Sequence, residues 1–149
     1  MDPLSIVGLA GTLVPLCVRV TYALNNVKVK YSQSNMTISA IVSECSVIAA
    51  ALTQIEGIAK KDPDGFASRL DPSASQLGAS FELAMGGCSI TLAVLNEEVE
   101  KLTVGEKVGF LGWKPKVKYI WNEAGMRDLL GTLRGQQSAL HLLLAAVQT

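Results

Sequence analysis

Few residues of this 149-residue chain have the types and spacing that catalysis requires. His141 is the only histidine, and no serine or cysteine pattern accompanies it as nucleophilic catalysis would need. Glu97, Glu98 and Glu100 could act as general acids or bases, but such a cluster on a helix is more typical of solvated surface. We therefore expect no catalytic residues and no enzyme activity.

Metal-binding and phosphate-binding motifs are also missing from the sequence. It contains no CxxC, HxxxH or HExxH spacing and neither of the glycine-rich motifs GxxxxGK[ST] and GxGxxG. Cys17, Cys45 and Cys88 are far apart among apolar neighbours, which predicts small buried thiols rather than disulfides or metal ligands. We expect no metal ion and no cofactor, and the free thiols fit a reducing cytosol.

The charge balance argues against nucleic acid as a partner. Thirteen basic and thirteen acidic residues cancel, whereas nucleic-acid-binding proteins normally carry a basic excess. Lysines are nevertheless concentrated between residues 107 and 118, with no acid among them, and they are interleaved with the aromatic residues Phe110, Trp113, Tyr119 and Trp121. This pattern suits either a membrane interface or a solvated loop with its tryptophans packed beneath the protein. The candidates for contact with lipid headgroups are Lys107, Lys114, Lys116, Lys118 and Trp113.

The first twenty residues form the most apolar end of the chain. No charge occurs from Leu4 to Cys17, with Asp2 before this stretch and Arg19 after it. A secretory signal would carry its positive charge before the apolar stretch, whereas Arg19 follows it here. A membrane-spanning helix needs about 20 apolar residues, more than the uncharged stretch contains. The stretch therefore matches neither a secretory signal nor a membrane-spanning helix. The segment must be buried in the core, inserted into a membrane, or able to move between the two.

Apolar periodicity predicts four long helices and little strand. Their expected ranges are Pro3–Asn25, Asn35–Lys60, Pro72 (or a few residues earlier) to Leu102, and Glu123–Val147, with an irregular stretch at Thr103–Pro115 and a short helix at Lys116–Asn122. The sequence therefore predicts an all-α, antiparallel bundle of about four long helices plus a short one before the last, forming a single domain over residues 1–149.

Three features of these helices lead to further expectations. The first helix has one face of small residues (Ser5, Gly8, Thr12, Pro15 and Arg19), by which it could dock against a bundle, and Pro15 should kink it. The second has an apolar stripe with an unbroken alternation of three and four, which predicts packing along its whole length. Its members are Ile38, Ile41, Cys45, Ile48, Leu52, Ile55 and Ala59. Gly86 and Gly87 indicate either a kink or a close helix crossing in the third helix.

The opening Met-Asp-Pro-Leu-Ser-Ile resembles the N-terminal domain of fungal STAND (NLR-like) proteins, the HeLo-like group of cell-death domains. The C-terminal half is similar to the same family through Trp113-Lys114, Trp121, Leu129-Leu130, Leu133-Arg134 and the Leu140–Leu144 run. The resemblance covers essentially the whole chain. It implies a cytosolic helical bundle at the N-terminus of a longer protein, whose attached or separate NLR or amyloid-motif sensor activates it.

The resemblance also implies a function in heterokaryon incompatibility and innate immunity. Members of the group are thought to self-associate on activation, move from the cytoplasm to anionic lipids of the plasma membrane, and permeabilise it through the N-terminal helix. The alternative is a non-lytic homotypic interaction or adaptor domain of an NLR-like receptor, and a third possibility is a signal-anchored membrane protein. The membrane-active residues that the resemblance implies are Leu4, Ile6, Val7, Gly8, Leu9, Gly11, Thr12, Leu13, Val14 and Leu16.

Overall fold

The structure, a computed structural model, describes residues 2–30, 35–108 and 123–148, and the side chains of residues 2–26, 36–101 and 124–148. Five helices make up almost all of this part of the chain, which contains no strand. They are α1 (Pro3–Lys30), α2 (Asn35–Lys61), α3 (Pro63–Leu70), α4 (Leu77–Val108) and α5 (Glu123–Gln148). The prediction of an all-α bundle is confirmed, while the short helix expected at Lys116–Asn122 lies outside the described residues.

The four long helices form a ring in the order α1, α2, α5, α4. Helix α1 packs against α2 and α4, and α5 packs against the same two helices from the opposite side of the core. The α1–α2 and α4–α5 connections therefore join neighbours, whereas α2 and α4 lie diagonally across the bundle. The short helix α3 makes this diagonal connection and contacts α1, α2 and α4.

Helix α2 shows most clearly how the apolar pattern specifies the core. All seven members of its predicted stripe are buried, from Ile38 at one end to Ala59 at the other. Because they recur at alternating spacings of three and four, they lie on one side of the helix and face the neighbouring helices together. The prediction that α2 packs along its length is confirmed.

Helix α3 was not expected from the sequence. The Asp62 carboxylate caps it by accepting a hydrogen bond from the Gly65 amide at 3.1 Å, and Pro63 occupies the first helical turn. Phe66 is buried, and its ring packs against that of Phe81 with centroids 5.8 Å apart. The third long helix, expected from Pro72 or a few residues earlier, begins only at Leu77. Leu70 ends α3, and Ala74 lies exposed in the following turn.

The C-terminal half of α4 also differs from expectation. The helix continues to Val108, so the irregular stretch predicted from Thr103 does not begin there. The helix is also unbroken at Gly86 and Gly87. Gly87 explains part of the glycine pair, because a side chain at this position would approach Gln136 of α5. Gly87 thus faces α5 through the Gln136 side chain, and the predicted close helix crossing stays a prediction.

The core is apolar, and a few polar contacts join the helices at its edge. Cys17, Cys45 and Cys88 are buried and free, as predicted. Gln136 Nε2 donates to Thr91 Oγ1 at 2.6 Å between α5 and α4. The Arg134 guanidinium lies 3.5 Å from the Glu44 carboxylate between α5 and α2, with Glu44 mostly shielded from water. Both contacts fix the position of α5 relative to its two neighbours.

Candidate membrane-contacting surface

Helix α1 begins where the sequence places its cap. Asp2 Oδ1 accepts a hydrogen bond from the Ser5 amide at 2.7 Å, and Pro3 is the first helical residue. This hydrogen bond favours the ionised carboxylate and holds the pKa of Asp2 below its ordinary value of 3.8. The apolar segment therefore starts abruptly next to a negative charge in water.

One side of α1 belongs to the bundle core. We call its fully buried residues the inner face of α1, and they recur at alternating spacings of four and three. They are Ile6, Ala10, Leu13, Cys17, Val20 and Leu24. None is polar apart from the thiol of Cys17, so the inner face packs against α2 and α4 as ordinary apolar core.

The opposite side of α1 is also apolar, although it faces solvent. We call it the outer face of α1, and it has the same alternation of four and three. Its members are Leu4, Gly8, Gly11, Pro15, Val18 and Tyr22. The three large side chains are between 61% and 81% exposed. A single helix with apolar residues on both sides is unusual in a water-soluble bundle, where the outer side is normally polar.

The small residues of α1 do not dock it against the bundle. Ser5, Gly8, Thr12, Pro15 and Arg19 are all exposed, and no atom lies within 4 Å of where a Cβ on Gly8 would stand. The expectation that this face provides the docking surface is therefore wrong. Larger side chains exclude more water from the core, so the inner face carries the packing instead.

Pro15 lies on the exposed side and does not interrupt α1, which is one helix from Pro3 to Lys30. Proline removes a hydrogen bond to the Gly11 carbonyl, and Gly11 is exposed, so water can take the place of the missing donor. Three residues earlier, the Thr12 hydroxyl donates to the Gly8 carbonyl at 3.1 Å. Few polar groups on the outer face therefore lack a hydrogen-bond partner within the helix.

The ten residues implied as membrane-active fall on different sides of α1. Ile6 and Leu13 are in the core, and the flanking residues Val7, Leu9, Val14 and Leu16 are half-buried. Leu4, Gly8, Gly11 and Thr12 are exposed. Only this last group is available to a membrane while α1 stays in the bundle. The set stops at Leu16 and therefore omits Val18 and Tyr22. Both continue the alternation of four and three that begins at Leu4, and this spacing would have identified them.

Length and composition allow three helices to cross a membrane. These segments are Pro3–Asn26, Met36–Lys61 and Leu77–Lys101. Burial does not separate the α1 and α4 segments, since 28% of the assessed window is buried in each. The segments of α2 and α4 contain four and five charged residues. Arg19 is the single charged residue of the α1 segment. The α1 segment is therefore the one best suited to contact hydrocarbon.

The basic segment cannot be placed relative to this surface. Lys114, Lys116, Lys118 and Trp113 lie outside the described residues, and Lys107 belongs to α4 but to a part whose side chains are not described. Its role in contacting lipid headgroups stays a prediction from the sequence.

The candidates for chemistry occupy surface positions. His141 is exposed, and its Nδ1 lies 2.8 Å from the Gln137 carbonyl oxygen of the preceding helical turn. Glu97 and Glu100 are exposed, while Glu98 accepts a hydrogen bond from Lys101 at 3.1 Å. Within residues 2–30, 35–108 and 123–148, no three His, Cys, Asp or Glu side chains are grouped so that they could hold a metal ion.

Comparison with known proteins adds no relative. Neither protein-family models, nor curated proteins, nor solved structures gave a match to this chain.

Proposed function

We propose that this chain is a membrane-targeting effector domain of programmed cell death, which self-associates on activation and permeabilises the plasma membrane through α1. The observation that carries the proposal is that α1 has apolar residues on both its inner and its outer face. The outer face can meet hydrocarbon while the inner face stays in the core. Transfer of the whole helix into lipid would keep both faces out of water.

The length and charge of α1 fit a bilayer. At about 1.5 Å per residue, Pro3–Asn26 spans ~36 Å, which exceeds the ~30 Å of a hydrocarbon core. Arg19 lies ~24 Å along the helix from Pro3, close enough to the far interface for its guanidinium to reach the headgroups. Because α1 continues past Asn25 to Lys30, helix length does not limit insertion.

Docked and inserted states of α1 would form a two-state switch. Leaving the bundle uncovers the six residues of the inner face and their partners on α2 and α4, which opposes release in water. Clustering of several copies by an attached or separate NLR or amyloid-motif sensor raises their effective concentration and favours the inserted state. On this scheme the resting protein is cytoplasmic and the activated one is at anionic lipids of the plasma membrane.

Dye release from vesicles containing anionic lipid tests this function. Gly8→Glu and Thr12→Glu place a carboxylate on the exposed side of α1, where Gly8 has open space around it. We expect both variants to fold and to lose most of the leakage that the unmodified chain causes, because burying a charge in hydrocarbon is unfavourable. Ser46→Glu puts the same charge on the exposed side of α2 and serves as the matched control.

Circular dichroism must accompany the leakage assay, because lost leakage counts only for a folded variant. Unchanged leakage from folded Gly8→Glu and Thr12→Glu would contradict the proposal. Deleting residues 1–20 is a poorer test, since it also removes most of the inner face from the core.

A non-lytic interaction or adaptor domain is the second candidate function. The open space around Gly8 and Gly11 favours it, because small residues let another helix approach closely. On this alternative the unmodified chain self-associates without releasing dye, and Gly8→Glu abolishes the association alone.

A further inference from the structure

The three cysteine thiols are buried groups that the proposed function does not use. Cys17 on α1, Cys45 on α2 and Cys88 on α4 are free, and each is at most 1% exposed. Burial raises the pKa of Cys17 and of Cys45 to about 12 and that of Cys88 to about 11. Because the thiolate is the reactive form, these thiols are inert while the core is closed. They become reactive only when the bundle opens.

The cysteines of α2 and α4 lie at about the same level of the bundle, because the residue before each of them contacts α5. Glu44 on α2 is 3.5 Å from Arg134, and Gly87 on α4 faces Gln136, whose Nε2 lies 3.3 Å from where a Cβ would stand. Arg134 and Gln136 are two positions apart, which corresponds to a rise of only ~3 Å along α5. The two cysteines that follow Glu44 and Gly87 are therefore close in height.

Cys45 and Cys88 both face α1. Successive residues of a helix turn by ~100°, close to the right angle between the two neighbours that each helix has in a ring of four. A residue that follows one facing α5 therefore points either at α1 or into solvent, and the burial of both cysteines decides for α1. Cys17 on the inner face of α1 lies near both. After burial, its thiol adds to the raised pKa of Cys45, and the thiol of Cys88 adds to that of Cys17.

The docked α1 keeps Cys45 and Cys88 too far apart to be joined. In a square bundle with neighbouring axes ~8–10 Å apart and Cα atoms ~2.3 Å from each axis, residues that face α1 from α2 and α4 have Cα atoms ~8–11 Å apart. A disulfide needs about 4.4–6.8 Å between Cα atoms. When α1 leaves, α2 and α4 can cover their apolar residues by packing as neighbours, which brings facing Cα atoms to roughly 5 Å. Cys45 and Cys88 can therefore pair only in the released state.

We propose that Cys45 and Cys88 form a redox latch, in which glutathione disulfide or a similar small disulfide joins them once α1 has left, and the new bond holds α1 out of the bundle. The latch depends on the release of α1 proposed above. In a reducing cytosol it stays open, and it closes when the small disulfide accumulates. Helix α1 then cannot return, because the bond keeps α2 and α4 at the spacing of neighbours and leaves no groove for the inner face.

The thiol–disulfide exchange conserves atoms and electrons. One cysteine thiolate attacks a sulfur of glutathione disulfide, the S–S bond breaks, and the departing glutathione thiolate takes up the proton that the cysteine lost. The second cysteine thiolate attacks the cysteine sulfur of this mixed disulfide and releases the second glutathione in the same way. Two protein thiols are thus oxidised, and one glutathione disulfide is reduced to two thiols.

Disulfide mapping by mass spectrometry tests the latch without lipid. The full chain is incubated with glutathione disulfide, in buffer and in urea below the unfolding transition, and the remaining thiols are alkylated. Fully unfolded chain should give about twofold more Cys17–Cys45 disulfide than Cys45–Cys88 disulfide, because the former closes a shorter loop. In the folded chain we expect the order to reverse, with Cys45–Cys88 at least ~10-fold in excess over either disulfide of Cys17. Absence of the Cys45–Cys88 disulfide, or the same ratio as in the unfolded chain, would overturn the latch.

Single substitutions identify the two partners. Cys17→Ala should keep the latch, since Cys17 leaves with α1, whereas Cys45→Ala and Cys88→Ala should each abolish it. Loss of the latch in Cys17→Ala would contradict the pairing.

Hydrogen exchange measures whether the latch holds α1 out. In the oxidised chain the amides of α1 should exchange at least ~100-fold faster than in the reduced chain, and dithiothreitol should restore slow exchange. Cys88→Ala treated with glutathione disulfide is the matched control and should keep slow exchange in α1. Equally slow exchange in the oxidised and reduced chains would overturn the latch. So would a control as fast as the oxidised chain, since a glutathione adduct would then be sufficient to exclude α1.

The lipid-free experiments also separate the latch from the proposed function. A chain that forms the Cys45–Cys88 disulfide and exposes α1, but releases no dye from vesicles, would leave the latch standing and remove the permeabilisation. Vesicle leakage from a chain that never forms this disulfide would leave the proposed function standing and remove the latch.

Discussion

Gln136 on α5 reaches across to α4 and donates a 2.6 Å hydrogen bond from Nε2 to the hydroxyl of Thr91. The same Nε2 lies 3.3 Å from where a Cβ on Gly87 would stand. The amide is therefore confined between a hydrogen-bond partner and the bare backbone of Gly87. Its Oε1 is buried and has no hydrogen-bond partner within the described part of the chain. This arrangement makes the α4–α5 crossing sensitive to one methyl group.

Gly87→Ala should remove the benefit that alanine normally brings to a helix. In an open helical position, replacing glycine by alanine adds about 1 kcal/mol to the free energy of unfolding. At Gly87 the added methyl group must displace Gln136 and lengthen its bond to Thr91, so we expect no gain or a net loss. Gly135→Ala has nothing within 4 Å and should show the gain. Urea denaturation measures the free energy of unfolding of both variants. An equal gain at the two positions would contradict the confinement of the Gln136 amide.

Gly78→Ala should destabilise the protein more clearly. A Cβ at Gly78, at the start of α4, would lie 2.6 Å from the carbonyl oxygen of Leu70, the last residue of α3. Backbone cannot rotate away as a side chain can, so we expect a loss of roughly 1–3 kcal/mol in the free energy of unfolding. Gly57→Ala, with open space around it on α2, is the control and should be neutral or stabilising. If both variants unfold at the same urea concentration, the α3–α4 contact is not as close as described.

The sequence predicts α2 almost completely because only one side of that helix carries a continuous apolar stripe. Ile38, Cys45 and Leu52 could be assigned to the core from spacing alone, and all are buried. Helix α3 could not be predicted in the same way, since Asp62-Pro63 both ends α2 and caps the next helix. Eight residues containing proline and glycine are too few for periodicity to separate a helix from a turn.

The candidate surface was harder to predict because α1 and α4 are apolar on two sides. In α1, the stripe that starts at Ile6 and the one that starts at Leu4 have the same spacing. Periodicity alone therefore cannot tell which one faces α2 and α4. The size of the side chains decides which face is buried. Because the outer face contains Gly8 and Gly11, packing it against the bundle would bury less apolar area than packing the inner face does. In α4 the same ambiguity applies to Leu83, Ile90 and Val94, whose exposure the spacing does not predict.

The cap of α1 should make stability depend on pH. The pKa of Asp2 is lowered in the folded state, mainly by the hydrogen bond from the Ser5 amide. Its contribution is therefore present above the ordinary pKa of 3.8, which applies to the unfolded state, and lost as the pH falls through the lower folded-state value. Asp2→Asn keeps a capping side chain that does not titrate. The unmodified chain should be the more stable near neutral pH, because a negative charge suits a helix N-terminus, and this advantage should vanish in acid.

Unfolding free energies of the two chains between pH 6 and 2, by chemical denaturation, measure this effect. Other carboxylates titrate alike in both chains and cancel in the difference. A difference that does not change with pH would show that the cap contributes nothing through its charge.

The lysines of the basic segment should strengthen membrane binding through their charge. Each lysine near an anionic surface contributes about 1 kcal/mol, which corresponds to roughly fivefold in vesicle binding. Replacing Lys107, Lys114, Lys116 and Lys118 together by glutamine should therefore weaken binding to anionic vesicles at least ~100-fold. Lys61→Gln, at the exposed end of α2, is the control and should have little effect. High salt should abolish the difference by screening, and zwitterionic vesicles should not distinguish the variants, so a loss that persists in either condition would point to burial of the segment against the bundle instead.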